Sequence, residues 1–98
     1  MRRDDALKIL AGNREAIRRF HVRSLAVFGS VARDEATETS DVDVLVEFEP
    51  DRPIGLFVFI RLIHFLREIL GCRVDLTTAE GLHPEMREEI LKEAIRAA

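Results

Sequence analysis

The sequence predicts an α/β (α+β) domain with a small mixed β-sheet of about three strands flanked by about four helices. Three observations carry that prediction. Apolar residues recur at helical spacing in separate segments, short apolar runs ending at turn residues lie between them, and residues 41–48 alternate with period two.

The first helix spans Asp4 to Phe20, where Leu7, Leu10, Ile17 and Phe20 recur at helical spacing among arginines. Residues 24–28, "SLAVF", form a short apolar run that ends at Gly29, as a buried strand does. Val31 to Glu35 fit one or two helical turns, and "ATETS" reads as a loop. In "DVDVLVEF" the residues Val42, Val44, Val46 and Phe48 face one way, and Asp41, Asp43, Leu45 and Glu47 the other. Pro50 and Pro53 end this strand and lead into a helix from about Ile54 to Leu70, closed by Gly71. Residues 73–78, "RVDLTT", are a further strand, with Val74 and Leu76 opposite Arg73, Asp75 and Thr77. Pro84 opens a last helix whose apolar stripe is Met86, Ile90, Leu91, Ala94 and Ile95.

The chain has 98 residues, read as one domain over 1–98 with a modest core. Hydrophobic residues make up 47% and charged residues 34%, a balance that excludes a disordered chain. A single cysteine, Cys72, leaves no internal disulfide, and His21, His64 and His83 have no spacing that suggests a metal site. The N-terminus lacks a secretory signal, and Arg61, His64, Arg67 and Glu68 break up the most apolar segment, so the expected location is cytoplasmic, with no membrane span. Net charge is −3, but residues 1–23 hold seven basic and three acidic side chains, whereas residues 34–51 hold eight acidic and no basic ones. The basic run reads as a solvated helix face, and a nucleic-acid role would rest on those N-terminal arginines alone.

The acidic run contains the chemistry. Residues two apart on a strand lie roughly 6.5–7 Å apart and project to the same side, so the Asp41 and Asp43 carboxylates can converge on one hard cation. If the strand carrying Asp75 runs alongside, a third carboxylate joins them, and three such acids raise one another's pKa unless a cation neutralises them. Mg²⁺ suits this set, completed by water and substrate phosphate oxygens. The plainer alternative, two aspartates on the solvent face of an edge strand, runs against the depletion of aspartate in strands.

Gly29 and Ser30 sit between a strand and a short helix, where free backbone N–H groups favour an anion. Glycine allows close approach and the Ser30 hydroxyl can donate to phosphate oxygens, although a serine there could also cap the helix. Arg33 suits either a phosphate or the acidic loop. The chemistry that follows is attack by a hydroxyl on the α-phosphorus of a nucleotide, two metal ions sharing the developing charge and Asp75 acting as general base.

"GSVARDEATETSDVDVLVEF" resembles the Gly-Ser turn and Asp-x-Asp strand of the DNA polymerase beta-like nucleotidyltransferase superfamily, and in length the chain is similar to its minimal nucleotidyltransferase branch. Members of that branch are antitoxins often paired with HEPN-domain toxins. The resemblance implies that Gly29 and Ser30 contact nucleotide phosphates, that Asp41 and Asp43 hold Mg²⁺ and that Asp75 is the third carboxylate. One departure is Asp34, where the family has glycine; aspartate tolerates a left-handed turn but adds negative charge near the phosphates.

The implied activity is transfer of AMP from ATP to a hydroxyl, as an antitoxin acting on a tyrosine of a HEPN toxin partner. Two alternatives stand beside it: a small-molecule transferase of the aminoglycoside type, and a non-catalytic module that neutralises its partner by contact. The sequence shows no second domain to grip a substrate, so a partner must present it. The helix from Ile54 is apolar on almost every side in its first two turns, and the polar stripe of Arg61, His64 and Glu68 continues back to Phe57, with Phe65 beside it. Phe57 and its neighbours are therefore candidates for an outward-facing contact with a second chain. Burial of the whole helix within the domain is the alternative.

Overall fold

Two helical segments open the chain where the periodicity predicts one. In the computed structural model, which describes residues 1–98, α1 spans Arg3–Gly12 and α2 Arg14–Arg18. The break falls at Gly12-Asn13: glycine is a poor helix former, and the Asn13 side chain donates to the Ile9 carbonyl at 2.8 Å, a local bond that competes with the helical ladder. His21 then turns left-handed (φ 63°) and delivers the chain into β1, Val22–Phe28. One short helix, α3 at Gly29–Ala32, leads to β2, Val42–Phe48. The long helix α4 (Leu56–Leu70) ends at Gly71, whose left-handed conformation (φ 68°) lets its N–H reach the Arg67 carbonyl at 2.8 Å. β3 (Val74–Thr78), α5 (Pro84–Glu93) and β4 (Ile95–Arg96) complete the chain.

The four strands form one sheet in the order β3-β2-β1-β4. β1 runs antiparallel to both β2 and β4, while β2 and β3 are parallel and α4 makes the crossover between them. Beside the about three strands and four helices expected, the sheet gains a fourth strand because Ala94 (ψ 133°) leaves the helical region and Ile95–Arg96 pair with the free edge of β1, and the break at Gly12-Asn13 makes the fifth helical segment. That edge would otherwise leave backbone donors and acceptors unpaired. In addition, α5 buries no residue: of its expected stripe, Met86 and Leu91 are exposed, Ile90 is half-buried, and Ala94 and Ile95 lie outside the helix.

The core contains 17 buried residues, all apolar. Val42, Val44 and Val46 project from β2 as the alternation predicts, meeting Leu25 and Val27 of β1 and Val74 and Leu76 of β3. Leu62, Leu66 and Leu70, at four-residue spacing on α4, cover them together with Ala6, Leu10 and Ile17. These helices all sit on one face of the sheet. The opposite face, which carries Asp43, Leu45 and Glu47, is left largely open, with α5 at its margin beside Asp43 and Leu45.

Candidate active site

Strand register decides which acids meet. β2 pairs with β3 so that Asp43 lies directly beside Asp75, both on the largely open face, as expected if the two strands are neighbours. Asp41 and Arg73 each stand one residue before a paired valine, Val42 and Val74, and Arg73 Nε meets Asp41 Oδ1 at 3.1 Å. Arg73 also donates to the Thr39 carbonyl at 3.3 Å. Asp41 is thus drawn to the rim of the sheet, and no three acidic, histidine or cysteine side chains gather closely enough to share an ion.

On the other side of β2, Phe28 is the register partner of Asp43, so the residue after it arrives against the Asp43 carboxylate. That residue is Gly29, in the left-handed conformation (φ 73°), and a Cβ there would run into the Asp43 carboxylate. Both the conformation and the space require glycine. Ser30 follows, half-buried; the helix cap is Phe28 and no side chain caps it, which removes the capping explanation for the serine. Asp34 takes the left-handed conformation expected of it (φ 59°) and accepts from the Arg3 N–H at 3.2 Å.

Arg33 pairs with two acids. Its Nη1 donates to both oxygens of Glu93 at 3.0 Å, while Glu35 in the acidic loop lies 3.6 Å from its Nε. The Glu93 hydrogen bond, followed by the charge of that carboxylate, holds the guanidinium proton more firmly than usual. Glu93 also accepts from the Gly29 N–H at 2.6 Å. Phe28, Gly29, Arg33, Asp43, Ile90 and Glu93 line a cleft of about 260 Å³.

Asp43 feels this setting most. Its carboxyl pKa is raised, first because burial disfavours the charged form and then because Asp75, Asp41 and Glu93 add negative charge; Arg33 offsets part of this. A half-buried carboxylate between two others is the donor chemistry that a hard cation would relieve. The set therefore fits Mg²⁺ in kind, provided that Asp41 leaves Arg73.

Sequence reasoning missed Glu93 and the pairing role of Arg73. Glu93 is 64 residues from Gly29 and gave no local signal. The alternation places Arg73 on the same strand face as Asp75, and its partner Asp41 emerges only once the register is known.

The mixed sheet brings a carboxylate pair, Asp43 and Asp75, against a glycine turn at its open end. Residues 10–97 match the model of the nucleotidyltransferase domain, and the chain belongs to that family. It is 43% identical over 88 residues to protein adenylyltransferase MntA of Thermococcus cleftensis, covering 89% of this chain and 87% of that protein. A solved structure described as a proposed minimal nucleotidyltransferase is 45% identical with a TM-score of 0.73, covering 91% of this chain and 93% of that one. At 14% identity the fold alone is shared with a chain from the complex of a tri-AMPylated Shewanella oneidensis HEPN toxin with its MNT antitoxin (TM-score 0.64; 94% and 71% covered). The chain is thus a minimal nucleotidyltransferase, in agreement with the resemblance carried by residues 28–48.

Proposed function

We propose that this nucleotidyltransferase moves AMP from ATP to a hydroxyl on a HEPN-type toxin and thereby acts as its antitoxin. The observation that carries the reading is the seating of Gly29 against Asp43 with Asp75 alongside, which joins a phosphate-approach turn to a carboxylate pair. The relatives named protein adenylyltransferase and the fold shared with an AMPylated-toxin complex support the choice of nucleotide and partner.

In this reading Asp41, Asp43 and Asp75 would hold Mg²⁺, as two ions, with Asp41 released from Arg73, and the metal would supply positive charge to offset that of the nucleotide and of the leaving pyrophosphate. Gly29 N–H, Ser30 Oγ and Arg33 take phosphate oxygens. Asp75 accepts the acceptor hydroxyl's proton; the new O–P bond forms at the α-phosphorus as the bond to the β-phosphate oxygen breaks. Residues 1–98 act as one domain, supported by a single core cluster that reaches from Ala6 to Ala97. A reducing, cytoplasmic location suits the lone free cysteine, Cys72, and no helix is long and apolar enough to cross a membrane.

A second reading has an observation of its own. Asp41 is paired with Arg73, and Arg33 and Gly29 are engaged by Glu93, so a module that neutralises its partner by contact alone would need no change at the site. One experiment separates the two: ATP labelled at the α-phosphate, Mg²⁺ and a host lysate, with wild type beside Asp43→Asn. The transferase reading expects label on one protein band with wild type and at least a hundredfold less with Asp43→Asn, given the loss of a metal ligand. Label on a small molecule would redirect the assignment to an antibiotic-type transferase. No label with either protein, while toxin neutralisation persists, would sink the transferase reading.

A further inference from the structure

The groups assigned to phosphate already hold an anion supplied by the chain itself. Glu93 Oε1 accepts from Gly29 N–H at 2.6 Å and from Arg33 Nη1 at 3.0 Å, and Oε2 accepts from the same Nη1 at 3.0 Å. These carboxylate oxygens stand in for phosphate oxygens: same charge sign, same donors, comparable hydrogen-bond lengths.

Strand pairing places them there. Ile95 and Arg96 pair with Val27 and Ala26, so Glu93, two residues before Ile95, comes level with the turn that follows Phe28. The helix bearing it is weakly anchored. α5 buries no residue, and Met86 and Leu91 are 55% and 48% exposed, so its last turn can shift about Ala94, where the chain leaves the helix, while Ile95 and Arg96 stay paired with β1.

We propose that Glu93 is a built-in competitor of the nucleotide: its carboxylate occupies a phosphate position at Gly29 and Arg33, and Mg²⁺·ATP binds by displacing it together with the end of α5. The inference rests on the nucleotide reading above. A site blocked for all but a fraction of the time binds more weakly by that fraction, so blockage of about 90% weakens binding about tenfold.

The test is calorimetric titration of wild type, Glu93→Gln and Arg33→Ala with Mg²⁺ and α,β-methylene-ATP, which binds without transfer. Glu93→Gln should bind about tenfold more tightly than wild type, and Arg33→Ala more weakly. Equal or weaker binding by Glu93→Gln, with Arg33→Ala still impaired, would leave the nucleotide site standing and overturn the competitor. Binding by none of the three would remove the nucleotide reading and this inference with it, whereas binding unaffected by Arg33→Ala would take Arg33 out of the phosphate site and overturn the competitor alone. Amide ¹⁵N spectra of the wild type provide a check that needs no variant. On addition of the analogue, the resonances of Glu89–Glu93 should move together with that of Gly29, and movement of Gly29 alone would also overturn the competitor.

Discussion

Asp43 has Gly29 on one side and Asp75 on the other, and its carboxylate is ionised against resistance. Because the folded state raises its pKa, the folded chain holds this proton more tightly than the unfolded chain does. The associated stability is present below the ordinary aspartate value and is lost as pH rises through the raised folded value. Asp43→Asn removes that loss. In buffer with EDTA it should melt above wild type at pH 7. The gap should close when the scan is repeated below the ordinary aspartate range, and a gap independent of pH would contradict the assignment. The aspartate of β2 was legible because period-two alternation fixes a side chain's face from its neighbours alone. Glu93 and the Arg73–Asp41 pair were not, because each depends on which strand lies beside which.

Among the elements, α4 and α5 were both legible as helices from their apolar spacing and from Pro84 at the start of α5, but only the stripe of α4 is buried. The difference is the surface available. The stripe Leu62, Leu66 and Leu70 meets the valines of β2 and is buried, whereas α5 lies at the sheet's margin, where Met86 and Leu91 stay exposed. Leu66→Ala should therefore destabilise the fold by about 2–5 kcal/mol in urea unfolding, and Leu91→Ala by well under 1 kcal/mol. Comparable losses in both would refute this account of the core. The break after Gly12 and the two-residue strand β4 escaped sequence reading for other reasons. One turns on a side-chain bond from Asn13 to Ile9, and the other is too short to show any period.

At the scale of the molecule, the outward face of Phe57 was legible from the polar stripe of α4, and Phe57 is 80% exposed with Leu56 beside it at 71%. Phe65 is different: it packs on Phe20 with ring centroids 5.4 Å apart. The exposed pair supports the proposed contact with a second chain, where one aromatic anchor commonly contributes more than 1 kcal/mol. Phe57→Glu should melt like wild type yet bind its partner on the order of tenfold more weakly. Unchanged elution volume and unchanged partner binding would remove that surface from consideration. The largely open face of the sheet has a consequence for the choice of acceptor. Asp75 is exposed on the sheet face that α5 borders only at its margin, beside Asp43, so water is the first hydroxyl-bearing molecule to reach an activated nucleotide there. An acceptor must outcompete a solvent some fifty-five molar in concentration. In the transferase reading, a large partner laid across the strands would do so by excluding that solvent, so that faithful transfer would belong to the complex and the lone chain would tend to hydrolyse its nucleotide.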